Sequence, residues 1–409
     1  MSEASQALQK IARGTEIVFA GTVVSMLSGC PNERLMNSTP RTGSGGIRVA
    51  RKMERGISFF DQRPRRDKSR LFGRSEELNE LVNALHARSW VAVLGPRMAG
   101  KTSLALTGAN SFAEEMKYRV IFVDLRNTET SRQATEKILS RLPKSILETL
   151  TKYIAEVSLS AGGTGGGVKL RENAAAKNAL EDALFSLNNT ILVLDEVQNV
   201  KQGVDSFLKA LATAFNENDS LLVIFTGSYA GVVKKLFEAT HRDSFYGRPP
   251  IEILLPPWPE WVAAEFLRKG FGQCGIDVTQ REIQDTLWRL GTLPGWLNLY
   301  GLRRCLGASH EKALQRVFEK AVNEALREME HFLEGRSPKA REVIKRLTYG
   351  ATWGELERTG ISKDTLSRLL DALTGELFAV VKDDIGVYRF SDPVYRYAAE
   401  RMPIHPKAG

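Results

Sequence analysis

Five short runs of near-continuous Val, Ile and Leu recur along the chain, separated by longer stretches whose apolar residues fall at helical spacing. They are SWVAVLG (89–95), RVIFVDL (119–125), TILVLDE (190–196), LLVIFTG (221–227) and PIEILLP (250–256). A strand that is apolar at every position has both faces buried, which is the condition of a parallel sheet covered by helices. The pattern predicts an α/β domain over residues 70–257. After Trp258 the strand-like runs stop, and 260–269, 280–290, 296–306 and 311–332 read as amphipathic helices, a helical lid spanning 258–334. Residues 335–402 change again. Helical stretches at 337–348, 353–359 and 363–374 precede two short strands, 377–382 and 386–390, and a further helix, the order of a winged helix-turn-helix domain.

The first 69 residues carry no comparable periodicity and read as a leader followed by a basic linker, poorly ordered. Residues 14–30, GTEIVFAGTVVSMLSGC, are apolar for about a dozen positions, too few to span a bilayer. They end in a box that resembles a lipoprotein cleavage site, but Glu16 sits at the mouth of the run, and no stable membrane insertion is expected. The whole chain of 409 residues has a formal charge of +9. Residues 1–70 hold 13 Lys and Arg against 6 Asp and Glu, so most of that excess lies ahead of the folded part. Hydrophobic residues at 43% and charged residues at 26% exclude collagen-like, disordered and multispanning classes. The 3 cysteines, Cys30, Cys274 and Cys305, are widely spaced, which predicts neither a disulfide framework nor a CxxC metal site and points to a reducing cytoplasm. The 5 histidines never fall at ligand spacing.

Chemistry concentrates in two places. Gly95-Pro96-Arg97-Met98-Ala99-Gly100-Lys101-Thr102 satisfies GxxxxGK[ST] between a buried strand and a helix, where curled backbone N–H groups and a helix N-terminus meet phosphate oxygens. With Ser103 these residues form the predicted nucleotide-binding set. Lys101 reaches the β- and γ-phosphates, and Thr102 ligates Mg²⁺. The second place is Ile191–Glu196, a buried strand that delivers two carboxylates at its C-terminal end, where ligands sit in open α/β sheets. Asp195 is assigned to the Mg²⁺ shell and Glu196 to polarising the attacking water as general base. Thr226-Gly227-Ser228 ends a third strand, and Ser228 either orients the γ-phosphate or caps the next helix. Arg248 is the candidate for stabilising transferred charge, with Arg242 its rival. Ala161–Gly167, with its many glycines, reads as a surface insertion.

Taken in order, LFGRSEEL (71–78), GPRMAGKTSL (95–104), LVLDEVQ (192–198), VIFTGS (223–228), FYGRPP (245–250), GTLPGWL (291–297) and YRFSDPVYRY (388–397) resemble the archaeal-type STAND P-loop ATPases, a branch of the wider AAA-like group. The resemblance covers about residues 70–400. It implies an ATP/ADP-operated switch with slow Mg²⁺-dependent hydrolysis. Gly73 and Arg74 then flank the adenine, and Pro294 is the lid proline that contacts nucleotide and transmits its state; Thr292 stands where such proteins usually have a second glycine. Implied partners are ATP and a protein partner or a second copy. The alternative is a DNA-engaged AAA-type loader using the winged helix. Residues 334–409 carry 13 Lys and Arg against 11 Asp and Glu, a weak footprint for a phosphate backbone.

Overall fold

Strands form where the apolar runs lie. A computed structural model describes residues 59–158, 167–171, 175–228, 233 and 249–403. The leader through residue 58, the glycine run 161–166, Arg242 and Arg248 lie outside the described residues. The strands β1 (Val91–Leu94) and β2 (Arg119–Asp124) belong to a five-stranded sheet that is completed by runs further along the chain. The helix α1 (Ser75–His86) precedes β1, and α2 (Lys101–Met116), between β1 and β2, packs across the sheet. Next come α3 (Ser131–Leu139), α4 (Lys144–Thr149) and a hairpin of β3 (Ile154–Ser158) and β4 (Gly167–Leu170). The hairpin frames the glycine-rich insertion and was not foreseen, because its strands are half polar and short. It is anchored to α3, where the Leu170 N–H donates to Glu136 Oε1 at 3.0 Å. The first unit closes with α5 (Ala176–Phe185), β5 (Thr190–Asp195), α6 (Val204–Glu217), β6 (Leu221–Gly227) and β7 (Ile251–Leu254).

The sheet order is β2-β5-β6-β1-β7, with every pairing parallel. The strands β1, β5 and β6 are buried at every position, as continuous apolar runs require. Both chemistry-bearing strands are therefore interior. Each ends at the same edge of the sheet, so the loop after β1 and the carboxylates after β5 face one crevice.

The lid consists of α7 (Glu260–Cys274), α8 (Gln280–Leu290), α9 (Pro294–Cys305) and α10 (His310–Leu333). Thr279 and Glu282 close a capping box on α8, and Pro294 opens α9 at a position where a missing N–H costs nothing. The cysteines depart from expectation: Cys274 and Cys305 form a disulfide, with Cα atoms 5.7 Å apart. Spacing along the chain hid this, because α7 and α9 pack side by side and bring together residues separated by 31 positions. The argument for a reducing compartment from unpaired cysteines loses its basis.

The linker expectation also changes. Residues 59–70 form a strap packed on the lid, so described structure begins at Phe59 rather than near residue 70. Phe60 is fully buried in a hole left by Gly270 on α7 and Gly301 on α9, where any side chain would collide with its ring. Phe59, Phe266 and Phe271 meet its ring in tilted and edge-on contacts, and Phe72 and Trp258 extend the cluster by packing on Phe266. The paired Phe residues were masked by the basic residues around them.

The C-terminal unit runs α11 (Pro338–Leu347), β8 (Ala351–Thr352), α12 (Trp353–Glu357), α13 (Lys363–Gly375), β9 (Val380–Lys382), β10 (Val387–Phe390) and α14 (Pro393–Arg401). Its antiparallel sheet has the order β8-β10-β9. The two-residue strand β8 was too short to read from the pattern. The helix α14 lies on α10 and α8, where Tyr395 donates to Glu328 at 2.6 Å and Arg401 pairs with Glu319 at 2.7 Å. Arg341 adds a two-pronged ion pair to Glu330, at 2.6 and 2.5 Å. Among the described residues no helix is long and apolar enough to cross a membrane.

Candidate functional site

At the exit of β1 the backbone leaves ordinary φ space three times within six residues: Gly95 at 149°, Met98 at 67° and Gly100 at 94°. Glycine is required at residue 95 also by contact, since a Cβ there would lie 2.6 Å from the Leu255 carbonyl oxygen. Gly100 is the N-cap of α2 and no side chain caps that end, so the first N–H groups of a 16-residue helix point toward the crevice. Lys101 curls back into this loop, its Nζ donating to the carbonyls of Gly95 at 2.9 Å and Pro96 at 3.0 Å. Burial pushes its ammonium below the usual lysine range, opposed by the negative charges of Glu196 and Asp195. Donors and a cation on a glycine-shaped loop are what a polyphosphate needs.

Across the crevice, Asp195 Oδ1 accepts from the Thr102 hydroxyl at 2.8 Å and from the Thr226 hydroxyl at 2.5 Å. Burial raises the Asp195 carboxyl above its usual range; the two hydroxyls oppose the shift, and the neighbouring charges of Glu196 and Asp124 add to it. A hard-oxygen pair, one hydroxyl and one carboxylate, is the donor set that suits Mg²⁺. Glu196 follows in the left-handed region at φ 58°, and its N–H donates to Thr226 Oγ1 at 3.2 Å. The short turn Val197–Asn199 begins there, with the Asn199 N–H and side chain both donating to the Glu196 carbonyl at 3.1 and 2.9 Å.

The structure thus brings Lys101, Thr102, Asp195 and Glu196 to one crevice, and Ser228 stands directly after β6 beside it. The network runs through Thr226 rather than Ser228, although the two hydroxyls stand two residues apart in one motif. Arg126 was missed. It sits just past β2, holds both Asp124 oxygens through Nε at 3.0 and 2.9 Å, and also feels the field of Asp195 and Glu196. The β2–β5 register, which pairs Asp124 with Asp195, places it there.

The remaining predicted residues line the margins. Ser103 accepts the strap's Arg65 N–H at 3.1 Å. Ala99 is buried, and Arg97 reaches Glu324 of α10 at 3.3 Å. Arg74 is buried and spent on Glu77 at 2.7 Å and on the Pro256 carbonyl at 2.5 Å, while Gly73 accepts from the Trp258 indole at 3.1 Å. Both sit at the exit of β7, next to the Leu255 that abuts Gly95. Pro294 lies over Gly100, its Cγ 3.9 Å from where a Cβ would be. Its neighbour Gly295, not singled out from the sequence, donates its N–H to the Met98 carbonyl at 3.0 Å.

Residues 71–299 match the model of an ATPase domain predominantly from Archaea. The chain belongs to that family. This archaeal-type ATPase domain is also similar in structure to the Walker-type ATPase of Pyrococcus abyssi, with TM-score 0.66 and 24% identity, over 84% of this chain and 99% of that one. It is similar as well to the ORC2 protein of Aeropyrum pernix, with TM-score 0.56 and 14% identity, over 84% of this chain and 96% of that one. At such identities the likeness is one of fold. No protein of curated function matches the sequence.

Proposed function

We propose that this ATPase domain is a nucleotide-operated switch that binds ATP with Mg²⁺, hydrolyses it slowly and uses the exchange to reset its lid and C-terminal unit. One observation carries the reading: the lid grips the phosphate-binding loop at the backbone, through Gly295 N–H to the Met98 carbonyl, with Pro294 over Gly100. A ligand moves a two-state equilibrium only through contacts that differ between the states. A loop bonded to the lid makes such contacts available.

The units proposed are the P-loop domain over 70–257 with the strap added, the lid over 258–334 and a winged helix over 335–402. When bound, ATP supplies the bond to be broken, and Mg²⁺ neutralises phosphate charge. Lys101 exchanges its two loop carbonyls for phosphate oxygens, Thr102 and Asp195 hold the cation, and Glu196 takes a proton from water. The DNA-loader alternative has less support. On α13 the exposed Lys363 is paired with Glu357 at 3.4 Å, and exposed Asp364 and Asp371 flank the exposed Arg368.

The test is Mg²⁺-dependent ATP hydrolysis by the full chain, with Lys101→Ala and Glu196→Gln, with and without duplex DNA at low salt. Slow turnover lost in both variants and indifferent to DNA supports the switch. Turnover retained in Lys101→Ala sinks it, and strong stimulation by DNA moves the assignment to the loader.

A further inference from the structure

The motif LVLDEVQ ends in a residue that the chemistry so far has not used. Gln198 lies in the short turn Val197–Asn199, and its Nε2 donates to Glu196 Oε2 at 2.6 Å. A carboxylate cannot donate, so the amide nitrogen must face Glu196 and the amide oxygen must face away. That oxygen points at Gly227, the last residue of β6, where any Cβ would collide with it. It is buried and has no hydrogen-bond partner among the described residues. Gly227 in turn pairs with Leu94, the residue immediately before the phosphate-binding loop. The Gln198 amide is therefore wedged between the general base and the strand tip that abuts the loop.

From this geometry we infer that Gln198 is a positioning residue: it holds one oxygen of Glu196 so that the other is presented to the attacking water. The inference rests on the reading of Glu196 as general base. Three facts favour positioning over packing. The Glu196 backbone is already fixed, by its N–H bond to Thr226 and by the two donors of Asn199 on its carbonyl, so the side-chain torsions are the freedom left to restrain. The Gln198 side chain makes its hydrogen bond to that carboxylate. Its other end is a buried acceptor without a partner among the described residues, which a residue serving only to fill space would avoid by being apolar. A base must lie within about 3 Å of the proton it takes, and a freely rotating carboxylate meets that condition for a fraction of the time.

The test uses the full chain with Gln198→Met, which keeps length and removes the donor. The expected result is kcat for ATP lowered about tenfold with KM within about twofold, because the loss falls on the chemical step and not on uniform binding. In crystals grown without nucleotide, the Glu196 carboxylate should occupy one rotamer in the wild type and two or more in the variant. Melting temperature should hold or rise, since the orphaned oxygen is gone. Unchanged kcat, or a single unchanged Glu196 rotamer, overturns the proposal, and so does a raised KM at unchanged kcat. If Gln198→Met does not fold, Gln198→Leu carries the same test with an uncharged side chain that has no donor. A Glu196→Gln variant separates the two failures. Wild-type turnover there removes the base assignment and this inference with it, whereas a dead Glu196→Gln beside an unaffected Gln198→Met removes only the inference.

Discussion

Two of the junctions between the lid and the rest of the molecule have opposite character. Toward the strap the lid is dry: Phe59 and Phe60 insert among Phe72, Trp258, Phe266 and Phe271, and two glycines are hollowed out to admit Phe60. Toward the phosphate-binding loop it is sparse and carries polar groups at the contact: one backbone hydrogen bond, the pair of exposed Arg97 with half-buried Glu324, and a small space where Arg97, Glu328, Asp392 and Tyr395 share the lining with Leu293, Trp296, Ala325 and Val394. Apolar packing is lost all at once when a shape changes, while hydrogen bonds and ion pairs can be exchanged for others at little net cost. The first junction is suited to holding the lid, and the second to letting it respond. Each can be broken separately.

The largest effect should come from the dry junction. Phe60→Ala empties a site enclosed by two helices that cannot close up, because Gly270 and Gly301 have no side chains to fill it. A loss of about 3–5 kcal/mol is expected, read as a drop in denaturation midpoint. If the loss is below about 1 kcal/mol, the strap is not part of the folded core and the contrast between the junctions collapses.

The polar junction contains a charge problem of its own. Asp392 caps α14 through the Val394 N–H at 2.7 Å, yet its other oxygen is buried without a partner among the described residues. Burial pushes its carboxyl up to about 7 from 3.8, opposed by the backbone bonds of Val394 and Tyr395. A carboxyl whose folded value is raised favours the fold while protonated. That contribution is complete below pH 3.8, falls away as pH rises through about 7 and is gone above it. Asparagine keeps the cap and cannot ionise. Asp392→Asn should therefore flatten the stability profile between those two values and gain about 2–4 kcal/mol at pH 8. A profile with the same slope as the wild type would show that Asp392 is not the group that titrates.

How much of this was legible beforehand follows the physics of each region. The sheet was readable because burial on both faces leaves no polar positions, and the meeting of Lys101, Thr102, Asp195 and Glu196 in one crevice because both motifs follow buried strands that end at the same edge of the sheet. The strap was unreadable, since two phenylalanines among arginines form no period and the hole that receives them is made by glycines over 200 residues away. The Cys274–Cys305 disulfide was hidden for the same reason, as contact between α7 and α9 is a property of packing. Arg126, Thr226 and Gln198 fall between these cases. They sit in or beside recognisable motifs, but their roles depend on strand register and on which way a side chain turns.

Gly295→Ala tests the gripping contact directly. A Cβ there would lie 2.8 Å from Met98 Cβ and 2.6 Å from its sulfur, and Met98 cannot retreat easily because its backbone is held at φ 67°. About 1–3 kcal/mol of strain is expected. Relief of that strain should open the lid, so the variant should exchange nucleotide faster than the wild type in a stopped-flow release assay. Faster release with unaltered stability would sharpen the comparison. Unaltered release with lower stability would mean that the lid does not report on the loop.

The smallest effect belongs to Arg97. Its guanidinium is largely exposed, and the pair with Glu324 at 3.3 Å lacks hydrogen-bond geometry, since the Glu324 oxygen involved has no hydrogen-bond partner among the described residues. Such a pair is worth under about 1 kcal/mol and is screened by salt. Arg97→Ala should therefore leave the melting temperature nearly unchanged at high ionic strength, with a small decrease only at low salt. The same arginine stands in the phosphate-binding loop, where a charge is more useful to a polyphosphate than to a carboxylate that Lys320 already pairs at 3.0 Å. If it changes partner when nucleotide binds, the low-salt decrease should disappear in the nucleotide-bound wild type measured against its variant, while the difference in nucleotide affinity grows. A stability loss equal in both states would tie Arg97 to Glu324 permanently, leaving the backbone contact at Gly295 to carry the response alone.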